Sequence, residues 1–381
     1  MRVGETIYLD YQASTPVDPR VRAKMLAAEE TLFANPHAAD HALGWRAAAA
    51  ISESAQEIAG LIGMDADDLL FTSGASEANA MVIRAAQRIA NETGKTELII
   101  GAGDHSSILN EAAVSGLEIR YVPLGRDGSP DLDALSHLIS TRTALVSLVG
   151  VNNENGAITD LESVNTLCEP AGIPWHADLS QAPLAMDLDL FALGISFATL
   201  SSHKVYGPKG VGALIMAPQA SRWIEPLIQG GLQQGGRRGG TLPTELCIGF
   251  GEACSILRNE GAAERARVAV LRDRFVSKIE AKGIGHLVGK TARRHPGNAL
   301  IHFAGIEAAD LLGRMQPEIA ASSQSACASG SVEPSRVVQA MGLSRATASE
   351  CVRFSFGRFS DIVQIDETIE HLLAILREVR N

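Results

Sequence analysis

Three apolar, strand-like runs of this 381-residue chain end in groups that could act together. LLFTS leads into Gly74-Ala75-Ser76-Glu77 and then the helical pattern ANAMVIRAAQRI, so free backbone N–H groups, a small hydroxyl and a helix dipole meet where a phosphate could sit. IPWHAD ends in Asp178, with Gln181 three residues on, and ISFATLSS ends in Ser201, Ser202, His203 and Lys204 before the turn Gly207-Pro208-Lys209-Gly210. Taken singly, these read as surface or capping residues and an ordinary glycine turn. Taken together, they offer an amine for condensation with an aldehyde, a carboxylate to keep a pyridine nitrogen protonated and an anion site, the set that pyridoxal 5'-phosphate (PLP) requires. ELIIGAG leads to Asp104-His105-Ser106-Ser107, and TALVSLVGV to Asn152-Asn153-Glu154-Asn155-Gly156; each alone reads as a polar turn, but both add hydrogen-bonding groups to the same rim.

A second kind of chemistry resides in the small-residue run from Ala320 to Ser331, which contains Cys327 and has neither helix nor strand period. Cys168, Cys254 and Cys351 sit among apolar or helical neighbours and read as small buried hydrophobes, whereas Cys327 lacks that setting. A thiol in a run of small residues has the access that a nucleophile needs. The five cysteines are odd in number, far apart and without a C-x-x-C pair, which argues against a disulfide framework or a zinc knuckle; no metal site is expected.

The elements that must position these groups follow from periodicity. From Ala42 to Ile62, Leu43, Ala47, Ile51, Ala55, Ile58 and Ile62 recur at three- and four-residue steps, predicting an amphipathic helix. Short runs follow (LLFTS, ELIIGAG, IRYVPL, TALVSLVGV, IPWHAD, ISFATLSS, VGALIM), separated by helical or loop stretches, which predicts a largely parallel sheet covered on both faces. Open sheets of this kind bind ligands beyond the carboxyl ends of their strands, where the candidate residues fall. The segment from Thr241 to Ile284 reads as one long or two abutting helices and marks the domain change. Beyond it, GNALIHF, EIAASS and ECVRFSFG alternate with helices, and IDETIEHLLAILREVR closes the chain with the stripe Ile365, Ile369, Leu372 and Leu376, predicting a smaller α/β domain. GGLQQGGRRGGT reads as a mobile loop carrying Arg237 and Arg238.

Composition narrows the function. With 46% apolar and 20% charged residues the chain can bury a substantial core, and its length favours two unequal domains. A net charge of −11 opposes direct nucleic-acid binding. No apolar run reaches the roughly 18–20 residues that span a bilayer, and Glu5 and Asp10 interrupt the start where a signal peptide needs an apolar stretch, so a cytoplasmic location without membrane contact is expected. Dinucleotide, P-loop, zinc-protease and nucleophile-elbow motifs are absent.

YLDYQASTPVDPRV, NPHAADHALG, FTSGASEANA, DHSSILN, VNNENGAI, HADLSQA, SSHKVYGPKGVG, GGRRGGTLPTE, SACASGSVEPSRVVQAMG and VRFSFGRF occur in this order across nearly the whole chain. With them the chain resembles the PLP-dependent cysteine desulfurases of the iron–sulfur-assembly group, in the class-V aminotransferase family. The resemblance implies the aspartate-aminotransferase-like fold type I, with a large cofactor domain at residues 16–256. A small domain would comprise residues 1–15 and 257–381, carry the cysteine loop at about 322–333, and meet the large domain in a homodimer with its active site at the interface.

The same resemblance assigns roles. Lys204 would link covalently to PLP and then move the substrate α-proton, Asp178 would pair with the pyridinium nitrogen, His105 would stack on the ring and help shuttle protons, and Gln181 would hydrogen-bond the ring hydroxyl. Ala75, Ser76, Ser201 and His203 would hold the phosphate, with Thr241 reaching in from the partner subunit. Asn153 and Arg353 would hold the carboxylate of L-cysteine, the arginine bidentately. Cys327 would take the substrate sulfur as a persulfide, release L-alanine and pass the sulfur to an acceptor protein.

Three positions depart from the usual pattern, Gln324, Asp104 and Asn155, and none removes a group that the chemistry needs. The chain ends just after its last amphipathic helix, which leaves the acceptor open among a cluster scaffold, a tRNA-thiolation protein and a DNA-phosphorothioation or cofactor pathway member. A selenocysteine lyase, or another lyase or transaminase of the same fold, would share Lys204 and Asp178 but need no thiol at Cys327. A PLP-fold interaction protein without catalysis would need none of the four groups.

Overall fold

The computed structural model describes residues 1–323 and 334–380. Seven strands form the main sheet, in the spatial order Leu69–Thr72, Gly212–Met216, Phe197–Ser201, Trp175–Asp178, Thr143–Val149, Glu97–Gly101 and Glu118–Val122. Only Gly212–Met216 runs antiparallel to its neighbours. The central strands are apolar and β-branched-rich because both faces are covered: Thr143–Val149 is buried at all seven positions. One face carries the core of Val146, Leu148, Trp175, Ala177 and Phe250, the other that of Leu98, Ile100, Leu145, Phe197 and the helix Ala75–Thr93. All seven predicted runs are strands of this one sheet.

The predicted amphipathic helix spans Ala42–Ile62, capped at its start by the His41 side chain and ended by Gly63 at φ +67°, where a side chain would meet Asp189. The segment after Thr241 is one helix, Thr244–Ala281, about 57 Å long at 1.5 Å per residue. Its first half packs Cys247, Phe250, Cys254 and Leu257 into the main-sheet core, and its second half packs Val268, Leu271, Phe275 and Ile279 into a separate one. That second core surrounds the antiparallel sheet His286–Leu287, Asn298–His302 and Cys351–Ser355 and takes the apolar stripe of helix Ile362–Arg380. The first residues belong here too, since Thr6–Tyr8 pairs in parallel with Ile319–Ala320. No helix among the described residues is long and apolar enough to cross a membrane.

The two bodies are clasped by a buried ionic cluster. Arg358 donates to Asp18 (2.6 Å) and Glu264 (2.7 Å), stands 4.2 Å over the Tyr206 ring, and donates its backbone N–H to the Tyr206 hydroxyl (2.6 Å). These contacts tie the N-terminal arm, the long helix and the end of the last strand to the segment after Lys204. Against a well-packed apolar substitute such a cluster contributes little net stability, but removing Arg358 strands Glu264 as a buried charge, while Asp18 keeps Arg20 (3.0 Å). Arg358→Met is therefore expected to cost about 3–5 kcal/mol, seen as a lower urea midpoint; an unchanged midpoint would show that Glu264 finds another partner.

Candidate active site

The carboxyl ends of the main-sheet strands surround a cavity of about 480 Å³. Lining it are Ala75, Ser76, His105, Asn153, Asp178, Gln181, Ser201, His203, Lys204 and Arg353, ten of the residues singled out above. Thr241 does not line it and is exposed on this chain. Cys327 lies outside the described residues.

One end of the cavity is a helix start. Gly74 precedes helix Ala75–Thr93 at φ +154°, and no side chain caps the first turn, so its N–H groups are available to an anion together with the Ser76 hydroxyl. Gly74 and Gly212 approach so closely that a Cβ on Gly212 would meet Gly74 Cα at 2.7 Å, which brings the loop flush against the sheet. Glu77, also on the cavity wall, accepts from Ser73 N–H and pairs with Arg238 (3.1 Å). The glycine-rich segment expected to be mobile is tied here by Arg238, and by Gln234, whose amide donates to and accepts from the Phe71 backbone (2.9 and 2.7 Å).

Asp178 ends the strand Trp175–Asp178 and is buried. One carboxylate oxygen accepts from the Ser180 N–H (3.0 Å) and hydroxyl (2.6 Å), the other from the Asn79 amide (2.9 Å). Beneath it, His176 spans Ser147 (2.9 Å) and Thr199 (3.1 Å); burial, opposed by the Asp178 charge, pushes its pKa down to about 4. Nearby Asp104 accepts from Gly101 N–H (3.0 Å) and Val149 N–H (2.9 Å); burial pushes its carboxyl up to about 7 against those donors, with Asp178 adding to the rise. His105 caps the helix Ser106–Ala113 through Nδ1, and burial lowers its pKa, with Asp178 opposing and Lys204 reinforcing.

The amine and the arginine are placed by an arm of chain between Asp10 and Asp18. Lys204 Nζ donates to the carbonyls of Gln12 (2.6 Å) and Ala13 (2.9 Å), and Gln181 Nε2 also donates to Gln12 O (2.9 Å). Ser14 Oγ contacts His203 Nδ1 (3.2 Å); burial pushes this imidazole down to about 4, with Lys204 and Lys209 adding to the fall. Thr15 receives the Tyr206 N–H (2.8 Å) and Asp18 N–H donates to the Tyr206 carbonyl (3.0 Å), holding Tyr206 at φ +67°, a conformation that costs a side-chain-bearing residue about 1–3 kcal/mol. Arg353, 3% exposed, donates to Asp10 (2.7 Å) and to the Asn153 carbonyl (2.5 Å), and its buried Nε has no partner among the described residues.

Several of these groups escaped the sequence reading. Asn79, Asp10 and Gln12 contact site residues directly, yet nothing in their local pattern marks them: Asn79 is one residue of a helix, and Gln12 works through its backbone. The four described cysteines are buried and free, and burial pushes Cys168, Cys247 and Cys351 up to about 12 and Cys254 higher still. None of these four offers a thiolate.

Known proteins share this sequence family and fold. The aminotransferase class-V family model matches residues 7–368. A cysteine desulfurase IscS of Rickettsia bellii is 37% identical over 379 residues, covering 98% of this chain and 92% of that protein. A NifS-like protein from Rickettsia africae superposes with a TM-score of 0.88 at 26% identity, over 98% of this chain and 99% of its own. A structure described as SspA in complex with cysteine gives 0.82 at 30% identity, over 93% and 100%. The chain belongs to the aminotransferase class-V family and has the fold type I architecture of its PLP enzymes. Within that family it is a cysteine desulfurase, and the family in general depends on PLP.

His176 sets a pH dependence. Its pKa lies near 4 in the folded protein and near 6.5 when exposed, so between those values the unfolded chain takes up a proton that the folded one refuses. Stability should therefore fall as pH drops from 6.5 towards 4. Replacing His176 with Gln, which can still bridge Ser147 and Thr199, should flatten that slope in urea midpoints measured across the window; equal slopes in both proteins would show that His176 does not carry it.

Proposed function

We propose that this chain binds PLP at Lys204 and Asp178, removes sulfur from L-cysteine, and carries it as a persulfide on Cys327. The observation that carries the reading is the convergence of an amine, a hydrogen-bonded carboxylate and an uncapped helix start on one cavity of about 480 Å³. When bound, PLP supplies an electron sink for bonds made and broken next to the substrate amine. The residues fit it by chemistry: Ala75, Ser76, Ser201 and His203 around the phosphate, Asp178 at the pyridine nitrogen, Gln181 at the ring hydroxyl and His105 over the ring.

Lys204 Nζ, steered by Gln12 O and Ala13 O, moves the proton at the substrate α-carbon. Arg353 and Asn153 face the substrate carboxylate, and the Asp10 contact holds the guanidinium plane ready for it. The Cys327 thiolate then forms an S–S bond to the substrate sulfur as the Cβ–S bond breaks. That bond's electron pair stays on the carbon skeleton, which takes up a proton and leaves as L-alanine. The persulfide passes to a sulfur-acceptor protein.

The exposed position of Thr241, off this chain's own cavity, supports a homodimer in which it reaches the partner's phosphate site. A division into residues 16–256 and residues 1–15 with 257–381 is supported by the two cores that share the long helix. The free thiols of the described cysteines favour a reducing, cytoplasmic setting.

The test is alanine and sulfide formation from L-cysteine with a reductant. Lys204→Ala should lose activity and the absorbance of the lysine-bound cofactor, while Cys327→Ala should lose at least about 100-fold in rate and keep that absorbance. Alanine formation by Cys327→Ala at the wild-type rate would remove the persulfide step and favour a selenocysteine lyase or transaminase.

A further inference from the structure

Asp178 and His105 are joined by a continuous chain of hydrogen bonds that runs through two residues outside the cavity wall. Asn79, fully buried in helix Ala75–Thr93, donates through its single amide nitrogen both to Asp178 Oδ2 (2.9 Å) and to Ser107 Oγ (2.9 Å). Ser107 Oγ lies 2.9 Å from His105 Nδ1, and the Ser107 backbone N–H donates to the same nitrogen (3.2 Å).

Donor and acceptor roles along this chain are fixed by elimination. A flipped Asn79 amide would set its oxygen against the Asp178 carboxylate, acceptor against acceptor, so the nitrogen must lie between Asp178 and Ser107. Ser107 Oγ then accepts from Asn79 and has its own proton left for His105. The backbone N–H of Ser107 does not rotate and already points at Nδ1, so a proton on Nδ1 would face it hydrogen to hydrogen. His105 Nδ1 must therefore carry the lone pair, and its proton belongs on Nε2.

We infer that Asn79 and Ser107 are positioning residues that lock His105 as the neutral Nε2–H tautomer and tie its orientation to the Asp178 carboxylate. The inference deepens the proposed site, resting on the reading that His105 and Asp178 face the bound cofactor. Its consequence is a division of labour: His105 enters the reaction as a proton donor, and Lys204 is the group that accepts the substrate α-proton. Ordinary capping does not require Asn79, because the helix after His105 is already capped by Nδ1 without it.

The tautomer can be read without cofactor or substrate. Long-range proton–nitrogen correlation spectra of the apoprotein with ¹⁵N-labelled histidine, assigned with His105→Gln, should show a pyridine-type Nδ1 and a pyrrole-type Nε2 for residue 105. In Ser107→Ala, which keeps the backbone N–H, Nδ1 should stay pyridine-type but its signal should move as the hydroxyl donor is lost; Asn79→Ala should move it in the same direction by less, and Ser107→Thr, which keeps the hydroxyl, should restore the wild-type pattern. A wild-type His105 protonated on Nδ1, or signals that stay put in both alanine variants, would overturn the relay. A His105 Nδ1 signal that moves in Ser107→Ala and returns in Ser107→Thr upholds it even if Lys204→Ala still makes alanine, an outcome that would instead sink the reading of the site.

Discussion

The site depends on nine residues, Asp10 to Asp18, wedged between the two cores. Their first member pairs with Arg353, their backbone carbonyls at Gln12 and Ala13 receive the Lys204 amine, and Ser14 and Thr15 meet His203 and the Tyr206 N–H. Asp18 closes the arm on Arg358. The residue meant to hold substrate and the residue meant to do its chemistry come from different bodies, and this arm is their shared reference. A displaced arm would misplace both at once, and because catalysis depends on geometry at the level of about 1 Å, the ionic clasp at Arg358 matters more for placement than for net stability.

Burial then sets the charge states. Asp178 sits among donors from Asn79 and Ser180, whereas Asp104, equally buried, has only two backbone N–H groups and a like charge nearby, and its carboxyl is pushed up to about 7. The imidazoles of His105, His176 and His203 are all held towards neutrality by burial. Desolvation also silences the four described cysteines, pushing each thiol well above its ordinary range.

Much of the fold was legible because its signals are local. The main-sheet strands are short apolar runs, the helix Ala42–Ile62 has a three- and four-residue stripe, and polar residues follow the strands that end at the cavity. The long helix was left as one or two, since its apolar positions switch faces as it passes from one core to the other, which blurs a single period. Asn79 was invisible because a buried amide on a helix looks like any other helical polar residue until its partner from a distant strand is known, whereas Ser107 was legible only as one of several polar residues after a strand.

By itself the sequence determined the α/β class, the strand ends that carry Asp178 and Lys204, and the cysteine that stands apart from every apolar run, because side-chain type and periodicity are properties of neighbours in the chain. The tertiary structure alone decided that Gln12 receives the amine, that Arg353 already rests on Asp10, and that Asp178 is wired through Asn79 and Ser107 to His105. Those contacts join residues tens to hundreds of positions apart, and hydrogen-bond direction depends on angles and distances of a few tenths of an ångström that no pattern of residue types encodes.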